Sequence, residues 1–369
     1  MHRLTAPKTL WAWGNNNFGQ LGLDSEEPYF SVPEQVDLKS LDLKADEIKG
    51  IYTGTYNTFM VLKNGIVYGT GLNNVAQLGA NPLIVRKFTL LDNLDDYCIR
   101  DMAVGYEVIY AITDNGTLIG WGSNALGKLS LDPNKFLTCR IPVEIYDDVK
   151  KIAVGNNFVI ILTNEGEVLT FGDGRMGQLG RECSEKFWKV KPMQFDMPVR
   201  SITCGQFHGL LITENNRIFT WGSNNWGQLG IEPDKIMNPL PVELTFPVPI
   251  DRKTKIRCGW RHSAVFFSKG QIFQWGDNNQ KQFVSGTGLE YFPFQFREEF
   301  IVNKVAIGFA HTLVIIEKGI IMAWGDNTSG SCGIGTITNL TLPLKYRTGV
   351  KTAAIRIFAG YKQSFALAL

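Results

Sequence analysis

Short apolar runs separated by polar turns recur along the whole chain. In one clear copy the run Phe158–Thr163 leads to the turn Asn164–Gly166, and a second run, Val168–Phe171, follows. Two runs of this length, rich in β-branched and aromatic residues and joined by a turn ending in glycine, predict a β-hairpin. The linkers between hairpins, which often contain Pro-Val-Glu or a similar stretch, supply a further strand. The pattern therefore predicts an all-β chain of short antiparallel strands.

One unit of this kind repeats about every 50 residues and is marked by two glycines that are 17 residues apart. The first glycines are Gly54, Gly105, Gly155, Gly205, Gly259 and Gly308. The second glycines are Gly71, Gly122, Gly172, Gly222, Gly276 and Gly325. Four short strands per unit, repeated along a chain, are typical of the blades of a β-propeller.

A seventh unit is divided between the two ends of the chain. Ile357–Gly360 and Ser364–Leu369 match its first half, and Leu10–Gly14 and Phe18–Gly22 match its second half. Together they complete one blade, so the ring closes without an open sheet edge. The sequence thus predicts a seven-bladed β-propeller with four strands per blade, forming one domain over residues 10–369 after a short extension, residues 1–9.

Composition excludes several classes of protein. The 37 basic and 35 acidic residues nearly balance, which gives no strong signal for nucleic-acid binding. The six cysteines are scattered without a Cys-x-x-Cys pair, which argues against a zinc site or a disulfide framework. No secretory signal and no membrane span stand out. We expect a monomeric, cytoplasmic protein, with the nucleus as the alternative location.

Two glycine patterns resemble nucleotide-binding motifs, but both are explained by the repeat. Gly122–Lys128 resembles a phosphate-binding loop, but Leu129 stands where a Ser or Thr would reach magnesium. Lys128 occupies the position that Gln228 has in another blade. We therefore interpret it as a lysine that replaces the glutamine of the repeat. Gly172–Gly177 matches a dinucleotide fingerprint, but it precedes a strand instead of a helix. We therefore expect no cofactor.

The scarce histidines also follow the repeat. His208, His262 and His311 each lie three residues after a first glycine. We expect them to hydrogen-bond backbone within their own blade, because the ring holds equivalent positions too far apart to share a metal. No Ser-His-Asp, Cys-His or paired-carboxylate constellation stands out, so we expect no catalysis on a small molecule and no metal. The tryptophans before the second glycines are expected in the core: Trp13, Trp121, Trp221, Trp275 and Trp324.

The residues just after each first glycine should surround one end of the central channel. Many of them are aromatic, and aromatic residues and arginine are over-represented at interface hot spots. The predicted protein-binding residues are Tyr106, Glu107, Phe207, Trp260, Arg261, Phe309 and Tyr361. The alternative is that these rings only pack on adjacent blades. Two unusual linkers, residues 181–195 and 289–300, are further docking candidates or side-covering core.

The order Gly-x-x-His, Trp-Gly-x-Asn and Gly-Gln-Leu-Gly resembles the repeat of the regulator-of-chromosome-condensation family. The resemblance covers residues 10–369, and the Trp-Asp and Gly-Gly pairs that mark two other propeller families are absent. Members of the family serve as guanine-nucleotide exchange factors for small GTPases, as chromatin or ubiquitin-system adaptors, and as scaffolds. The resemblance thus implies a regulatory or scaffold module that binds a small GTPase or a subunit of a regulatory complex.

Two alternatives stay open within that resemblance. The first is an exchange factor for a small GTPase other than Ran. The exchange factor for Ran relies on acidic residues after the first glycine of two successive blades, and here only Glu107 is acidic at the matching places. The second is a partner of a zinc-ribbon protein in Elongator tRNA modification and diphthamide synthesis, because the C-terminal Trp-Gly and Gly330–Gly333 elements resemble fungal propellers with that role.

Overall fold

The computed structural model describes residues 8–182, 187–283, 288–296, 302–346 and 353–369. Its strands form seven antiparallel sheets of four strands each, and the inner strands of neighbouring sheets contact one another around a central channel. The predicted seven-bladed β-propeller is confirmed. Among the described residues, helical structure is limited to single 3-10 turns, and none of them could cross a membrane.

The strands follow the repeat along the chain. The chain begins with β1 (Thr9–Asn15) and β2 (Tyr29–Gln35). The second blade contains β3 (Ile48–Thr53), β4 (Asn57–Leu62), β5 (Val67–Leu72) and β6 (Ile84–Leu90), and the third contains β7 (Ile99–Val104), β8 (Val108–Thr113), β9 (Leu118–Ser123) and β10 (Thr138–Tyr146). The fourth contains β11 (Val149–Val154), β12 (Phe158–Thr163), β13 (Val168–Gly172) and β14 (Lys191–Pro192), and the fifth contains β15 (Val199–Cys204), β16 (His208–Thr213), β17 (Ile218–Ser223) and β18 (Met237–Leu244). The sixth contains β19 (Lys255–Cys258), β20 (His262–Phe266), β21 (Ile272–Asp277) and β22 (Leu289–Phe296), and the seventh contains β23 (Lys304–Ile307), β24 (His311–Ile315), β25 (Ile321–Gly325) and β26 (Leu340–Tyr346). The chain ends with β27 (Ala354–Ala359) and β28 (Gln363–Ala368), and the 3-10 turns are Lys39–Leu41, Ala45–Glu47, Asp92–Leu94, Ala125–Gly127 and Glu317–Gly319.

The first blade is shared between the two ends of the chain, as the split repeat predicts. Its strand order is β2-β1-β28-β27, and β1 pairs with β28 from Thr9 opposite Ala368 to Gly14 opposite Gln363. Because this pairing joins the first and last strands, it leaves no open sheet edge between the last blade and the second.

The second glycine of every blade occupies a backbone position that other residues rarely adopt. At Gly222 the φ angle is +105°, and a Cβ there would lie 2.3 Å from the carbonyl oxygen of Phe207. The pairing of β17 with β18 shifts register at this point, so the glycine also forms a β-bulge. The same positive φ and the same close approach recur at Gly14, Gly71, Gly122, Gly172, Gly276 and Gly325.

The first glycine is required for a different reason, because the side chain three residues later occupies its Cβ space. A Cβ on Gly205 would lie 2.1 Å from the Cε1 atom of His208, and a Cβ on Gly155 would lie 2.0 Å from the ring of Phe158. Any larger residue would push this side chain out of the layer between blades. The fixed 17-residue spacing thus links two glycines that lie on either side of one hairpin.

Each repeated tryptophan joins its blade to the preceding one. Trp221 is fully buried, and its Nε1 donates a hydrogen bond to the carbonyl oxygen of Gln178 at 2.9 Å. The equivalent acceptors in the other blades are the carbonyl oxygens of Ser331 for Trp13, Gln77 for Trp121, Gln228 for Trp275 and Gln282 for Trp324. The predicted core position of the tryptophans is confirmed, and the indole N–H explains why tryptophan fits better than another large apolar residue.

The two unusual linkers differ in their structure. In the fourth blade the outer strand β14 has only two residues. Beside this short strand, the buried guanidinium of Arg181 donates to the carbonyl oxygens of Thr170 and Phe187. The other linker forms β22, where Phe292 and Phe294 remain largely exposed on the outside of the ring. Its end, residues 297–300, lies outside the described residues.

Replacing Trp221 with alanine should lower the free energy of unfolding by about 3–5 kcal/mol, because the change empties a buried aromatic site and removes the hydrogen bond to Gln178. The denaturant midpoint measures this loss. The matched control is Trp226→Ala in the same blade, where the ring is only partly buried and the loss should fall well below that range. Equal losses for the two variants would contradict the role of Trp221 between blades.

Candidate protein-binding rim

The turns after the first glycines come together at one end of the channel, as the repeat predicts. They enclose a bowl-shaped cavity of about 380 Å³. The residues that line it are Thr55, Tyr56, Tyr106, Asn156, Asn157, Trp260, Phe309 and Tyr361. Below the bowl, the wall of the channel is formed by the residues that precede the same glycines, such as Val104, Val154 and Cys204.

Five aromatic rings on this rim form a continuous row, which we call the aromatic arc. It consists of Phe18, Tyr56, Tyr361, Phe309 and Trp260, and adjacent centroids are separated by 5.0, 6.4, 4.4 and 5.0 Å in that order. These are the separations of tilted and edge-to-face aromatic pairs. Each ring is partly exposed, so the arc offers one side to its neighbours and the other to solvent.

Backbone hydrogen bonds between blades fix half of this rim. The amide of Asn156 donates to Gln206 O at 3.1 Å, and that of Gln206 donates to Trp260 O at 2.7 Å. The series continues from Trp260 N to Phe309 O and from Phe309 N to Gly360 O, both at 2.9 Å. The aromatic side chains are therefore carried on backbone that is already ordered, which lowers the entropic cost of using them in binding.

In the third and sixth blades, the second residue after the first glycine contacts the preceding blade instead of lining the bowl. Glu107 accepts a hydrogen bond from Asn74 Nδ2 at 2.8 Å. The guanidinium of Arg261 lies 4.3 Å from the centroid of the Trp226 ring, and its Nε donates to Gln206 Oε1 at 3.1 Å. These residues connect neighbouring turns and flank the bowl from outside.

Of the predicted binding residues, the structure brings four together around the bowl and places three beside it. Tyr106, Trp260, Phe309 and Tyr361 line the bowl. Glu107 and Arg261 lie one residue further out, and Phe207 is partly buried at the equivalent position without lining the bowl. The predicted role of these residues in binding stays a prediction.

Sequence reasoning gave no role in the rim to Phe18 and Lys128. Phe18 lies four residues after its second glycine, the position that Trp226 has in the fifth blade, and this shared position is the signal that could have found it. Lys128 replaces the repeat glutamine, and its Nζ donates to Tyr106 O at 2.7 Å. Burial lowers the pKa of Lys128 to about 8, while the nearby Glu107 carboxylate opposes that shift. The charge of Glu107 in turn raises the pKa of Tyr106.

The repeated histidines lie directly below the rim and are buried. His208 Nε2 lies 2.9 Å from Ser263 Oγ, and His311 Nε2 lies 2.9 Å from Ser364 Oγ. Both serines belong to the next blade, so the expectation of hydrogen bonds within the same blade was wrong. The reason is that the imidazole packs over the first glycine of its own blade and extends toward its neighbour.

Burial controls the charge of these histidines. It lowers the pKa of His208 and His262 to about 3 and that of His311 to about 4. All three are therefore neutral at pH 7, and His208 and His311 join neighbouring blades as neutral side chains. In the part of the chain that the structure describes, no group of three or more potential metal ligands is present.

The sequence is similar to one protein family and to several known proteins. The family model described as RCC1-like domain matches residues 9–366. The chain is 34% identical to the mouse serine/threonine-protein kinase Nek9 over 35% of its own length and 14% of the kinase. It is 34% identical to the mouse secretion-regulating guanine nucleotide exchange factor over 38% of its own length and 30% of that factor. The matched region thus spans less than a third of either relative.

Solved structures show the same fold. Human WBSCR16 superposes with a TM-score of 0.84 at 22% identity, covering 98% of this chain and 99% of that one. Yeast RCC1 (Prp20), solved with Kap60, superposes with a TM-score of 0.86 at 20% identity, covering 98% of this chain and 89% of that one.

The buried neutral histidines predict that the protein loses stability in mild acid. The unfolded chain binds protons at histidine below pH 6.5, whereas the folded chain does not until the pH approaches 3 to 4. Stability should therefore fall as the pH decreases below 6.5, by up to about 1.4 kcal/mol per pH unit for each histidine. Urea midpoints at pH 7 and pH 5 measure this loss.

The test variant is His311→Gln, because Gln363 occupies the equivalent position in the first blade. Glutamine does not titrate, so this variant should lose about 2 kcal/mol less than the wild type between pH 7 and pH 5. An equal loss in the two proteins would show that His311 does not contribute to acid sensitivity.

Proposed function

Because this chain belongs to the RCC1-like domain family, we propose that it is a regulatory or scaffold module that binds another protein on the rim carrying the aromatic arc. The observation that supports this proposal is the arc itself. Five partly exposed rings lie in one row at the solvent-accessible end of the channel. A contiguous apolar surface that remains exposed to water marks an interaction site.

The chemistry of the rim suits a protein partner better than a small molecule. Tyrosine, tryptophan and arginine are the residues most enriched at interface hot spots, and all three occur here around one shallow bowl. The backbone beneath Trp260 and Phe309 is fixed by hydrogen bonds between blades, so little order has to be gained on binding. A partner that places an apolar side chain in the bowl would cover the arc, while Glu107 and Arg261 offer charges of both signs at its edge.

A small GTPase is the partner class that the relatives favour. One similar protein is the mouse secretion-regulating guanine nucleotide exchange factor, and a structural neighbour, yeast Prp20p, is described with its binding properties to Gsp1p and histones. Exchange on a small GTPase other than Ran is therefore the second candidate function. The turns after the first glycines carry one acidic residue, Glu107, so any exchange would use a different set of rim residues from that of the Ran factor.

Replacing Trp260 with alanine should weaken binding to the partner by about 2 kcal/mol, which is about thirtyfold in Kd, because the tryptophan ring of the arc, which lines the bowl, is lost. The partner is first captured with the tagged full chain and identified by mass spectrometry, and its affinity is then measured with purified proteins. The control is Phe292→Ala, an exposed aromatic on the outer strand β22, which should leave the affinity unchanged.

Melting temperatures of both variants separate a binding defect from a folding defect. If Trp260→Ala and Arg261→Ala each bind the partner as tightly as the wild type, the rim is not the docking surface. If the captured protein is a zinc-ribbon protein or another regulatory subunit, the scaffold role stands and the GTPase assignment does not.

If the partner is a small GTPase, nucleotide release distinguishes exchange from scaffolding. An exchange factor binds the nucleotide-free GTPase more tightly than the GDP-bound form, because it stabilises the empty state. If the chain is an exchange factor, it should accelerate release of a fluorescent GDP analogue, and Trp260→Ala should accelerate it less. Equal affinity for both forms, with no acceleration by the wild type, would leave scaffolding as the function.

A further inference from the structure

The ends of the inner strands that lie farther from the rim carry several basic residues. The residues four positions before the first glycines are Gly50, Asp101, Lys151, Ser201, Lys255, Lys304 and Arg356. Four of the seven are cations, and one is an acid. Arg257, two positions before Gly259, adds a fifth cation. We call Lys151, Lys255, Arg257, Lys304 and Arg356 the basic mouth.

Two of these cations enclose a cavity. Lys151 on β11 and Arg257 on β19 lie on either side of β15, and a cavity of about 230 Å³ lies between them. Its wall includes the Thr203 hydroxyl-bearing side chain, together with Val154 and Cys204. The cavity is therefore a short trough with a cation at each side and a hydroxyl between them.

Neither cation is neutralised within the described part of the chain. No hydrogen bond or ion pair to a described residue involves Lys151 Nζ, and Arg257 donates only to the carbonyl oxygen of Ile256 in its own strand, at 2.8 Å. Asp101 is the acid whose charge reaches Lys151, and it also interacts with Tyr52. Most of the guanidinium donors of Arg257 are thus left for water or a ligand.

The positive charges of Lys151 and Arg257 also repel each other. Burial lowers the pKa of Lys151, and the positive charge of Arg257 lowers it further. Farther along the mouth, burial followed by the charges of Arg257 and Lys304 lowers the pKa of Lys255. Keeping several like charges in a narrow channel with apolar walls is costly unless an anion joins them, and such walls also concentrate the field on that anion.

We propose that this cavity binds the phosphate group of a small phosphorylated molecule. Arginine binds phosphate through parallel N–H donors, and lysine adds a point charge. Lys255, two positions before Arg257 on the same strand and coupled to its charge, adds a positive charge for a second phosphate group. The position inside the channel favours a compact anion over a folded macromolecule. This site lies away from the aromatic arc and does not depend on it.

Isothermal titration calorimetry on the full chain at low ionic strength tests the site with inorganic pyrophosphate and inorganic phosphate as probes. We expect the wild type to bind pyrophosphate more tightly than phosphate. Lys151→Ser and Arg257→Thr use residues found at the equivalent positions of the fifth blade, Ser201 and Thr203. Each should weaken pyrophosphate binding at least tenfold while the melting temperature without anion stays the same or rises, because repulsion is relieved.

The matched control is Lys150→Ser, which removes the same charge from an exposed side chain next to Lys151 and should leave binding unchanged. Three results would overturn the proposal. The first is no heat of binding by the wild type at about 10 mM probe. The second is an equal loss in Lys150→Ser, which would indicate general surface charge. The third is binding of duplex DNA or a phosphorylated peptide without binding of pyrophosphate.

If both channel variants fail to fold, the wild type alone still decides the question. Pyrophosphate should raise its melting temperature more than sodium chloride at the same ionic strength, because only a bound ligand stabilises the folded state specifically. Equal shifts with the two salts would overturn the proposal. Since no partner protein takes part in these measurements, their outcome is independent of the proposed function.

Discussion

The close approach of each second glycine to the neighbouring strand is the constraint on which the rest of the propeller depends. Its Cβ would lie only 2.2–2.5 Å from a carbonyl oxygen, and its φ angle is near +100° in all seven blades. This contact sets the register of the central hairpin and bends the strand next to it. The tryptophan one residue earlier is thereby aimed at the turn of the preceding blade, where its indole N–H finds a carbonyl oxygen. Blade geometry and blade stacking thus follow from one position.

The same constraint separates positions that are restricted by packing between blades from positions that can vary from blade to blade. The first glycine and the residue three positions later are fixed by packing between blades, whereas the two residues between them lie on a turn at the channel mouth. Variation there costs the fold little, so the rim is aromatic in five neighbouring blades, from Trp260 to Tyr106, and polar around Asn156. The opposite half of the channel varies in the same way, where cations such as Lys151 replace the small residues of other blades. One rigid scaffold therefore carries two different surfaces.

The spacing of the glycines was sufficient to predict the number of blades, the four strands in each and the blade shared by the termini, because these features depend on local turns that repeat. The position of Tyr106, Trp260, Phe309 and Tyr361 at the channel mouth was predictable for the same reason. Contacts between blades could not be predicted from the sequence. The bond from His208 to Ser263 joins residues 55 positions apart, and nothing in the alternation of a single strand shows which blade a side chain faces. The trough between Lys151 and Arg257 was missed because it needs the curvature of the ring to bring β11 and β19 to one cavity.

Hydroxyl-radical footprinting of the full chain, alone and saturated with its captured partner, tests the central claim most directly, because aromatic side chains react readily and can be followed one by one. We expect strong protection of Tyr56, Trp260, Phe309 and Tyr361, with the exposed Phe292 and Phe294 on the outer strand β22 labelled as before. Protection of the outer-strand aromatics with an unchanged rim would contradict it, since the partner would then bind the side of the propeller and the aromatic arc would be packing alone.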